Sequence, residues 1–179
     1  MTSLLAPPQS STGAEPATPA VRAYIGIGAN LGDALATVAQ AIIALATLPG
    51  CGGLRASPLY RSAPVDAAGP DFFNAVVALD TRLTPQALLA ALQAVEQVFG
   101  RLRPYPNAPR TLDLDLLLHG DAVLHTPTLT LPHPRLHQRA FVLRPLLDLA
   151  PALSAPGVGP LADCLPACAE QRLERLTLR

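Results

Sequence analysis

Lysine and tryptophan are both absent from this chain of 179 residues. All 13 basic residues are arginines, so the lysine that a Walker-type phosphate loop requires is missing. Any phosphate chemistry must therefore rest on arginine, on a metal ion or on both. Arginine suits that role, because its planar guanidinium group can bind phosphate oxygens through two parallel hydrogen bonds.

An excess of charge of either sign is also lacking. The 13 basic residues balance 13 acidic residues, and the formal net charge is zero. Proteins that bind nucleic acid generally carry a basic excess, so the composition disfavours that class. Aromatic residues make up only 4% of the chain while 50% is hydrophobic, so Leu, Val, Ile and Ala must build most of the core. A length of this kind suits one domain with a single core.

Cysteines and export signals are scarce as well. An odd number of cysteines, Cys51, Cys164 and Cys168, fits a reducing compartment. Cys164 and Cys168 lack the second Cys/His pair of a zinc site. Residues 1–20 are rich in Pro, Ser, Thr and Ala and lack a basic start, which predicts a disordered leader rather than a signal peptide. No uninterrupted apolar run could span a membrane. We therefore expect a cytoplasmic protein with one domain over residues 21–179.

The hydrophobic periodicity predicts strands and helices in the order strand, helix, strand, strand, helix, strand. Asp33 and Thr84 are candidate caps for the two helices. This order is typical of a ferredoxin-like βαββαβ sandwich, an α+β fold with an antiparallel sheet, here with C-terminal additions. The predicted strands cover residues 23–29, 54–61, 72–81 and 111–118, and the predicted helices cover 34–48, 85–99, 138–149 and 167–176.

Two acids in the run RTLDLDL carry the most specific chemical signal. On a strand, alternate side chains share a face, so Asp113 and Asp115 should point the same way while the leucines point into the core. Two adjacent carboxylates repel each other unless a cation lies between them. Magnesium is suited to such a site, since it takes one or two carboxylates and completes its shell with phosphate oxygens. A solvent-facing strand with two charges is the alternative.

Arginines surround that acid pair in the sequence. Arg101 and Arg103 precede the strand, Arg110 stands at its entrance, and Arg135 and Arg139 follow a Pro-rich turn. Acids for metal ions together with guanidinium groups are what a metal-triphosphate site needs. A solvated basic face is the alternative for the two later arginines.

Other candidate residues are more ambiguous. The run GIGANLG has the spacing G-x-G-x-x-x-G, which differs from a dinucleotide-binding motif, and a tight turn that needs small residues is the favoured interpretation. His133 lies near the arginines and could contact phosphate, or it could be a surface imidazole. Phe72 and Asn74 share a strand face, where a ring and an amide could hold a flat heterocycle. Core packing is the alternative for Phe72 and for Phe141.

Several segments together resemble the 6-hydroxymethyl-7,8-dihydropterin pyrophosphokinase family, over residues 23–151. The resemblance is carried, in this order, by YIGIGANLGD, SPLYRSAPV, GPDFFNAVVAL, GRLRP, APRTLDLDLLLHG and LPHPRLHQRAFVLRPL. It implies that the hydroxymethyl oxygen of the pterin attacks the β-phosphorus of ATP. The products would be AMP and the pterin diphosphate used in folate biosynthesis.

The resemblance also implies a role for each matched residue. Two Mg²⁺ ions would bind with ATP, and the partners would be small-molecule substrates. The composition separately leads us to expect no nucleic-acid or membrane partner, and a monomer is compatible with the sequence. The implied residues are Asp113 and Asp115 for the metal ions; Arg101, Arg103 and Arg110 with the two acids for catalysis; Gln93, Arg101, Arg103, Arg110, His133 and Arg139 for ATP; and Ser62, Pro64, Val65, Phe72, Asn74 and Phe141 for the pterin.

Two other functions are compatible with the same predicted fold. A metal-dependent nucleotidyl transferase would use the two acids but release pyrophosphate instead of AMP. A non-catalytic ferredoxin-like module, such as an RNA-binding domain, should show exposed aromatics and a basic sheet face. The low aromatic content and the zero net charge disfavour the module.

Overall fold

A six-stranded antiparallel sheet forms the centre of the protein. The computed structural model describes residues 19–64, 69–100 and 111–177. The sheet order is β10-β3-β4-β1-β5, and β2 also pairs with β4. In chain order the elements are β1 (Val21–Ala29), α1 (Ala34–Ala46), β2 (Cys51–Ala56), β3 (Tyr60–Ser62), β4 (Phe72–Thr81), α2 (Pro85–Val98), β5 (Asp113–His119), β6 (Leu124–His125), β7 (Thr130–Leu131), α3 (Ala140–Leu149), β8 (Ser154–Ala155), β9 (Gly159–Pro160) and β10 (Leu173–Arg175).

This topology confirms the predicted ferredoxin-like α+β fold. β4 lies between β1 and the β2–β3 segment, and β1 lies between β4 and β5, with every pairing antiparallel. The two predicted helix caps are also present. The Asp33 carboxylate accepts the backbone N–H of Ala36 at 3.0 Å, and the Thr84 hydroxyl accepts that of Ala87 at 3.2 Å. Each cap satisfies an N–H group that has no partner inside its helix.

The single strand predicted over residues 54–61 is wrong, because the segment forms two strands, β2 and β3. Pro58 has no N–H to donate to a ladder, so a continuous strand is interrupted there. Ser57 maintains the pairing beside the interruption: its N–H donates to Val76 O at 2.9 Å and its hydroxyl accepts Val76 N–H at 3.0 Å. Both strands therefore stay on β4.

The prediction of a last helix over residues 167–176 is also wrong. A 3-10 helix covers Leu161–Cys168, and β10 follows it and pairs with β3. Arg61 of β3 donates to the Glu174 carboxylate at 2.6 Å across this pair. The edge of β3 supplies hydrogen-bonding partners that periodicity along the chain does not reveal. The helix predicted over 138–149 begins later, at Ala140, after a 3-10 turn at Leu136–Gln138.

Each face of the sheet packs against its own hydrophobic core. One core joins β1, β4 and β5 to α1 and α2 and includes Leu112, Leu114 and Leu116. The second core joins the opposite face to α3 and the C-terminal segment and includes Val76, Leu117 and Leu143. The chain is thus a helix–sheet–helix sandwich in which α3 belongs to the C-terminal additions. Among the described residues, no helix has the length and apolar character needed to cross a membrane.

Candidate active site

The two aspartates of β5 lie on the face of the sheet that α3 partly covers. Leu114 and Leu116 are buried in the core beneath α1 and α2, so Asp113 and Asp115 project to the other side. Both acids are partly exposed. The prediction that they share one face away from the leucines is therefore confirmed by the strand geometry.

Two rows of residues cross the sheet at this place. Asn74, Gly28 and Asp113 are aligned across β4, β1 and β5, and Val76, Gly26 and Asp115 form the next row. Directly opposed residues of an antiparallel sheet project to the same face. Because β1 contributes only glycine to both rows, no side chain separates the acids of β5 from the residues of β4.

This arrangement divides the GIGANLG run into a strand and a turn. Gly26 and Gly28 lie inside β1, as the strand predicted over 23–29 requires, and Gly32 in the following turn has a left-handed backbone, with φ of 60°. A Cβ atom added to Gly28 would lie 3.4 Å from Asn74 Oδ1 and 3.9 Å from Phe72 Cδ1. Any side chain there would occupy the space above the sheet, so the two strand glycines form the floor of an open groove.

Ser62, Phe72 and Asn74 meet at one end of that groove. Ser62 of β3 is aligned with Phe72 of β4. Asn74 is 4% exposed, and its Nδ2 donates to Ser62 Oγ at 2.9 Å and to Phe72 O at 3.4 Å. A buried amide held in this way has a defined orientation, since its nitrogen donates to both Ser62 and Phe72.

Arg139 and Phe141 enter the site from the start of α3. Arg139 Nη1 lies 3.8 Å from Asp115 Oδ2, and the Arg139 guanidinium stands 5.5 Å from the centroid of the Phe141 ring. Arg139 is the N-cap residue of α3 and Phe141 belongs to its first turn. The helix therefore delivers one cation and one aromatic ring to the side of the groove where the acids lie.

His133 lies against the same acids. Its backbone N–H donates to Leu117 O at 2.9 Å, and its Nδ1 accepts the backbone N–H of Arg135 at 3.2 Å. Burial lowers the pKa of His133, and the nearby Asp115 carboxylate opposes that shift. A neutral ring whose Nδ1 accepts carries its proton on Nε2, where it can donate to an anionic oxygen.

A cleft of about 280 Å³ adjoins Asp115. Asp115, His133 and the Thr126–Thr130 segment line it, together with Leu89 of α2. Gln93 is exposed one helical turn beyond Leu89, so it lies on the same side of α2. Among the residues predicted to bind ATP, His133 and Arg139 lie beside Asp115. Gln93 lies farther along α2.

Several predicted residues are not tested by this geometry. Pro64 is partly buried just after β3. Val65, Arg101, Arg103 and Arg110 lie outside the described residues. Their assignments remain predictions.

Glu96 is a residue at the site that the sequence analysis missed. It is 1% exposed on α2, and its Oε1 accepts the backbone N–H of Leu114 at 2.8 Å. Leu114 lies between the two aspartates, so this bond anchors the part of β5 that presents them. The sequence did contain a signal for this residue, because Glu96 lies four positions after Leu92 on the apolar side of α2. A carboxylate there is expected to be buried and to need a hydrogen-bond donor.

The donor set of the groove fits a cation that arrives with phosphate. Among the residues that the structure describes, no group of three or more His, Cys, Asp or Glu side chains could enclose a metal ion. Asp113 and Asp115 nevertheless place two carboxylates on one face, and Mg²⁺ usually takes one or two carboxylates when substrate phosphates and water complete its shell. Arg139 lies 3.8 Å from Asp115, and His133 lines the cleft beside it.

The sequence is similar to known proteins over most of its length. Residues 24–151 match the model of the family described as 7,8-dihydro-6-hydroxymethylpterin-pyrophosphokinase (HPPK). A 2-amino-4-hydroxy-6-hydroxymethyldihydropteridine pyrophosphokinase of Pseudomonas aeruginosa is 46% identical over 156 residues, which cover 87% of this chain and 96% of that protein. The protein of the same name from Methylorubrum extorquens is 42% identical over 133 residues, covering 74% of this chain and 84% of the relative.

Solved structures share the fold. A chain titled as an HPPK-DHPS in complex with substrates superposes with a TM-score of 0.68 at 14% identity, covering 86% of this chain and 44% of that one. A Plasmodium falciparum HPPK-DHPS with pteroate gives a TM-score of 0.69 at 12% identity, covering 94% of this chain and 49% of that one. This chain therefore spans less than half of those longer proteins.

Proposed function

The chain belongs to the 7,8-dihydro-6-hydroxymethylpterin-pyrophosphokinase family, and from that membership we propose how its groove binds the two substrates and assists the transfer. The protein is a diphosphokinase of folate synthesis that moves the diphosphoryl group of ATP to hydroxymethyldihydropterin. The hydroxymethyl oxygen attacks the β-phosphorus and forms the new O–P bond. The bond from the β-phosphorus to the α,β-bridging oxygen breaks, and AMP leaves with that electron pair.

Asp113 and Asp115 would hold two Mg²⁺ ions, whose shells phosphate oxygens of ATP would help to complete. When bound, such ions neutralise phosphate charge and polarise the transferred group. The proposal is supported by the shared face of the two acids and by the glycine floor beside them. Glu96 holds the intervening Leu114 N–H, which keeps the two carboxylates in register.

Arg139 and His133 bind the phosphates of ATP. The guanidinium of Arg139 and the Nε2–H of His133 supply donors beside Asp115. Gln93 lies near the nucleotide. Arg101, Arg103 and Arg110 lie outside the described residues, and the family motif alone assigns them to the phosphates of ATP.

The pterin occupies the groove between the end formed by Ser62, Phe72 and Asn74 and the Phe141 ring beside the acids. Asn74 and Ser62 offer an amide and a hydroxyl, and Phe72 and Phe141 offer ring faces for a flat heterocycle. The family motif also assigns Pro64 and Val65 to the pterin. The absence of β1 side chains at Gly26 and Gly28 leaves room for the hydroxymethyl arm to reach the phosphates. Positioning of this kind is the main contribution that a protein makes to phosphoryl transfer.

The observation that carries the proposal is the alignment of Asn74, Gly28 and Asp113 in one row across three strands. The test is chromatography of the products formed from ATP, Mg²⁺ and 6-hydroxymethyl-7,8-dihydropterin. We expect AMP and the pterin diphosphate in equal amounts, with no turnover when Mg²⁺ is chelated. Release of pyrophosphate in place of AMP would show a nucleotidyl transferase instead.

The remaining assignments concern the molecule as a whole. Residues 21–179 form one pyrophosphokinase domain, and residues 1–20 form a leader outside it. The enzyme acts as a cytoplasmic monomer on small molecules and binds neither nucleic acid nor membrane. Zero net charge supports the lack of nucleic-acid binding. Sedimentation of the purified chain tests the monomer, since a dimer mass at micromolar concentration would contradict it.

A further inference from the structure

Gln171 contacts the main chain on both sides of Arg139. Its Oε1 accepts the backbone N–H of Ala140 at 2.8 Å, and its Nε2 donates to the carbonyl oxygen of Gln138 at 2.8 Å. One side-chain amide thus uses its acceptor and one of its donors on the two residues that flank Arg139. Both bonds can form only when the backbone at Arg139 keeps this conformation.

The bond to Ala140 supplies the cap that α3 otherwise lacks. Arg139 occupies the N-cap position, and its side chain makes no capping hydrogen bond. The first N–H groups of a helix have no partner within it and need one from elsewhere. Gln171 provides that acceptor from 31 residues farther along the chain. The Arg139 side chain extends instead toward Asp115 and Phe141.

The segment that carries Gln171 also supports the other end of the groove. Leu173, the first residue of β10, is aligned with Ser62 of β3. Gln171 and β10 both lie beyond residue 151, where the match to the family model ends. One short C-terminal segment is therefore tied both to the start of α3 and to the strand that presents Ser62.

We propose that Gln171 is a positioning residue for the transfer, and that its amide sets the direction in which Arg139 and Phe141 leave the start of α3. The inference rests on the proposed roles of Arg139 and Phe141 in binding ATP and pterin. Displacement of a binding group by about 1 Å can lower a rate on the order of a hundredfold. Loss of the amide should therefore weaken substrate binding more than it weakens the fold.

The first experiment compares Gln171→Ala with Gln138→Ala under steady-state conditions. Gln171→Ala should raise KM for both ATP and the pterin, with a fall in kcat/KM of about tenfold. Gln138→Ala is the matched control, because that side chain is exposed and contacts His137 Nε2, while its backbone carbonyl remains. The control should stay within about twofold of the wild type. Equal kinetics for the wild type and Gln171→Ala would overturn the inference.

A double-mutant cycle separates positioning from general stabilisation. In an Arg139→Ala background, Gln171→Ala should change KM for ATP by less than about twofold, because the positioned group is already absent. An equal loss in both backgrounds would mean that Gln171 acts only through stability. If Gln171→Ala folds poorly, Gln171→Glu keeps the acceptor for Ala140, and its KM values should lie between those of the wild type and the alanine variant.

The same cycle distinguishes failure of this inference from failure of the proposed site. A normal KM for ATP in Arg139→Ala would overturn the proposed phosphate role of Arg139, and the inference about Gln171 would fall with it. A raised KM in Arg139→Ala with unchanged kinetics in Gln171→Ala would overturn the inference alone. Formation of AMP by the wild type checks the reaction independently of either result.

Discussion

At the scale of single residues, the site depends on side chains that are absent as much as on those present. Gly26 and Gly28 leave two rows of the sheet without a central side chain, so residues of β4 and β5 face a common groove. At Gly28, even a methyl group would lie 3.4 Å from the Asn74 amide oxygen. Small residues inside a strand usually indicate that something approaches the backbone closely, and here that space adjoins both acids.

Asp115→Ala should abolish turnover and leave the fold intact. Asp115 lies on the partly exposed face of β5, so its loss removes the proposed metal ligand without opening a cavity in either core. We expect kcat to fall by roughly a thousandfold or more, with a thermal midpoint within about 3 °C of the wild type. Product assays and a thermal unfolding scan measure the two effects.

Asp121→Ala is the matched control for that variant. Asp121 is exposed in the turn after β5, on the same segment of chain but outside the groove. Its kcat should equal that of the wild type. Near-normal activity in Asp115→Ala would contradict the proposed role of Asp115 as a metal ligand.

At the scale of elements, α3 is held to the sheet by a polar contact as well as by its apolar face. The Tyr60 hydroxyl of β3 donates to the Asp148 carboxylate of α3 at 2.7 Å. The pKa of Tyr60 is raised to about 12, mainly because the phenol is buried and secondly because it donates this hydrogen bond. β3 and α3 both present groove residues, so this bond joins two elements on which the site depends.

The raised pKa of Tyr60 predicts a loss of stability at alkaline pH. Above pH 10 the unfolded chain releases the phenol proton while the folded chain keeps it up to pH of about 12. The contribution is therefore fully present below pH 10 and decreases as the pH rises through that window. Between pH 10 and pH of about 12, the free energy of unfolding measured in urea should fall further in the wild type than in Tyr60→Phe. The difference should be on the order of 1 kcal/mol after allowance for solvent screening.

The comparison variant for this measurement is Tyr24→Phe. Tyr24 is partly buried beside the second core, so the same atom is removed elsewhere on the sheet. Its alkaline decline in stability should parallel that of the wild type. A parallel decline in Tyr60→Phe would mean that the Tyr60–Asp148 bond does not link proton release to folding.

Element types were predictable wherever one local pattern decided them. β4 was predicted to the residue, and the caps of α1 and α2 were visible as Asp33 and Thr84. The division between β2 and β3 and the strand β10 were missed. The division follows from Pro58, a local signal that was interpreted as a tolerated irregularity within one strand. β10 forms because the distant edge of β3 provides its hydrogen-bonding partners.

At the scale of the whole molecule, every described element of the sheet and of both cores lies after residue 20. β1 begins at Val21, and the residues immediately before it are exposed. A chain beginning at Pro19 should therefore keep kcat/KM within about twofold of the full chain, with a thermal midpoint within about 2 °C. Parallel assays of the two chains test this. A substantial loss of either quantity would assign the leader a part in the domain.

The family, the βαββαβ order and the shared face of Asp113 and Asp115 could be predicted from the amino-acid sequence, because each follows from residue types at fixed spacing along the chain. The folded chain was needed to show which distant residues meet: Glu96 with Leu114, Tyr60 with Asp148, and Gln171 with the start of α3. The physical reason is that such contacts join segments far apart in the chain. Their free energy depends on burial and on partners that no local pattern encodes.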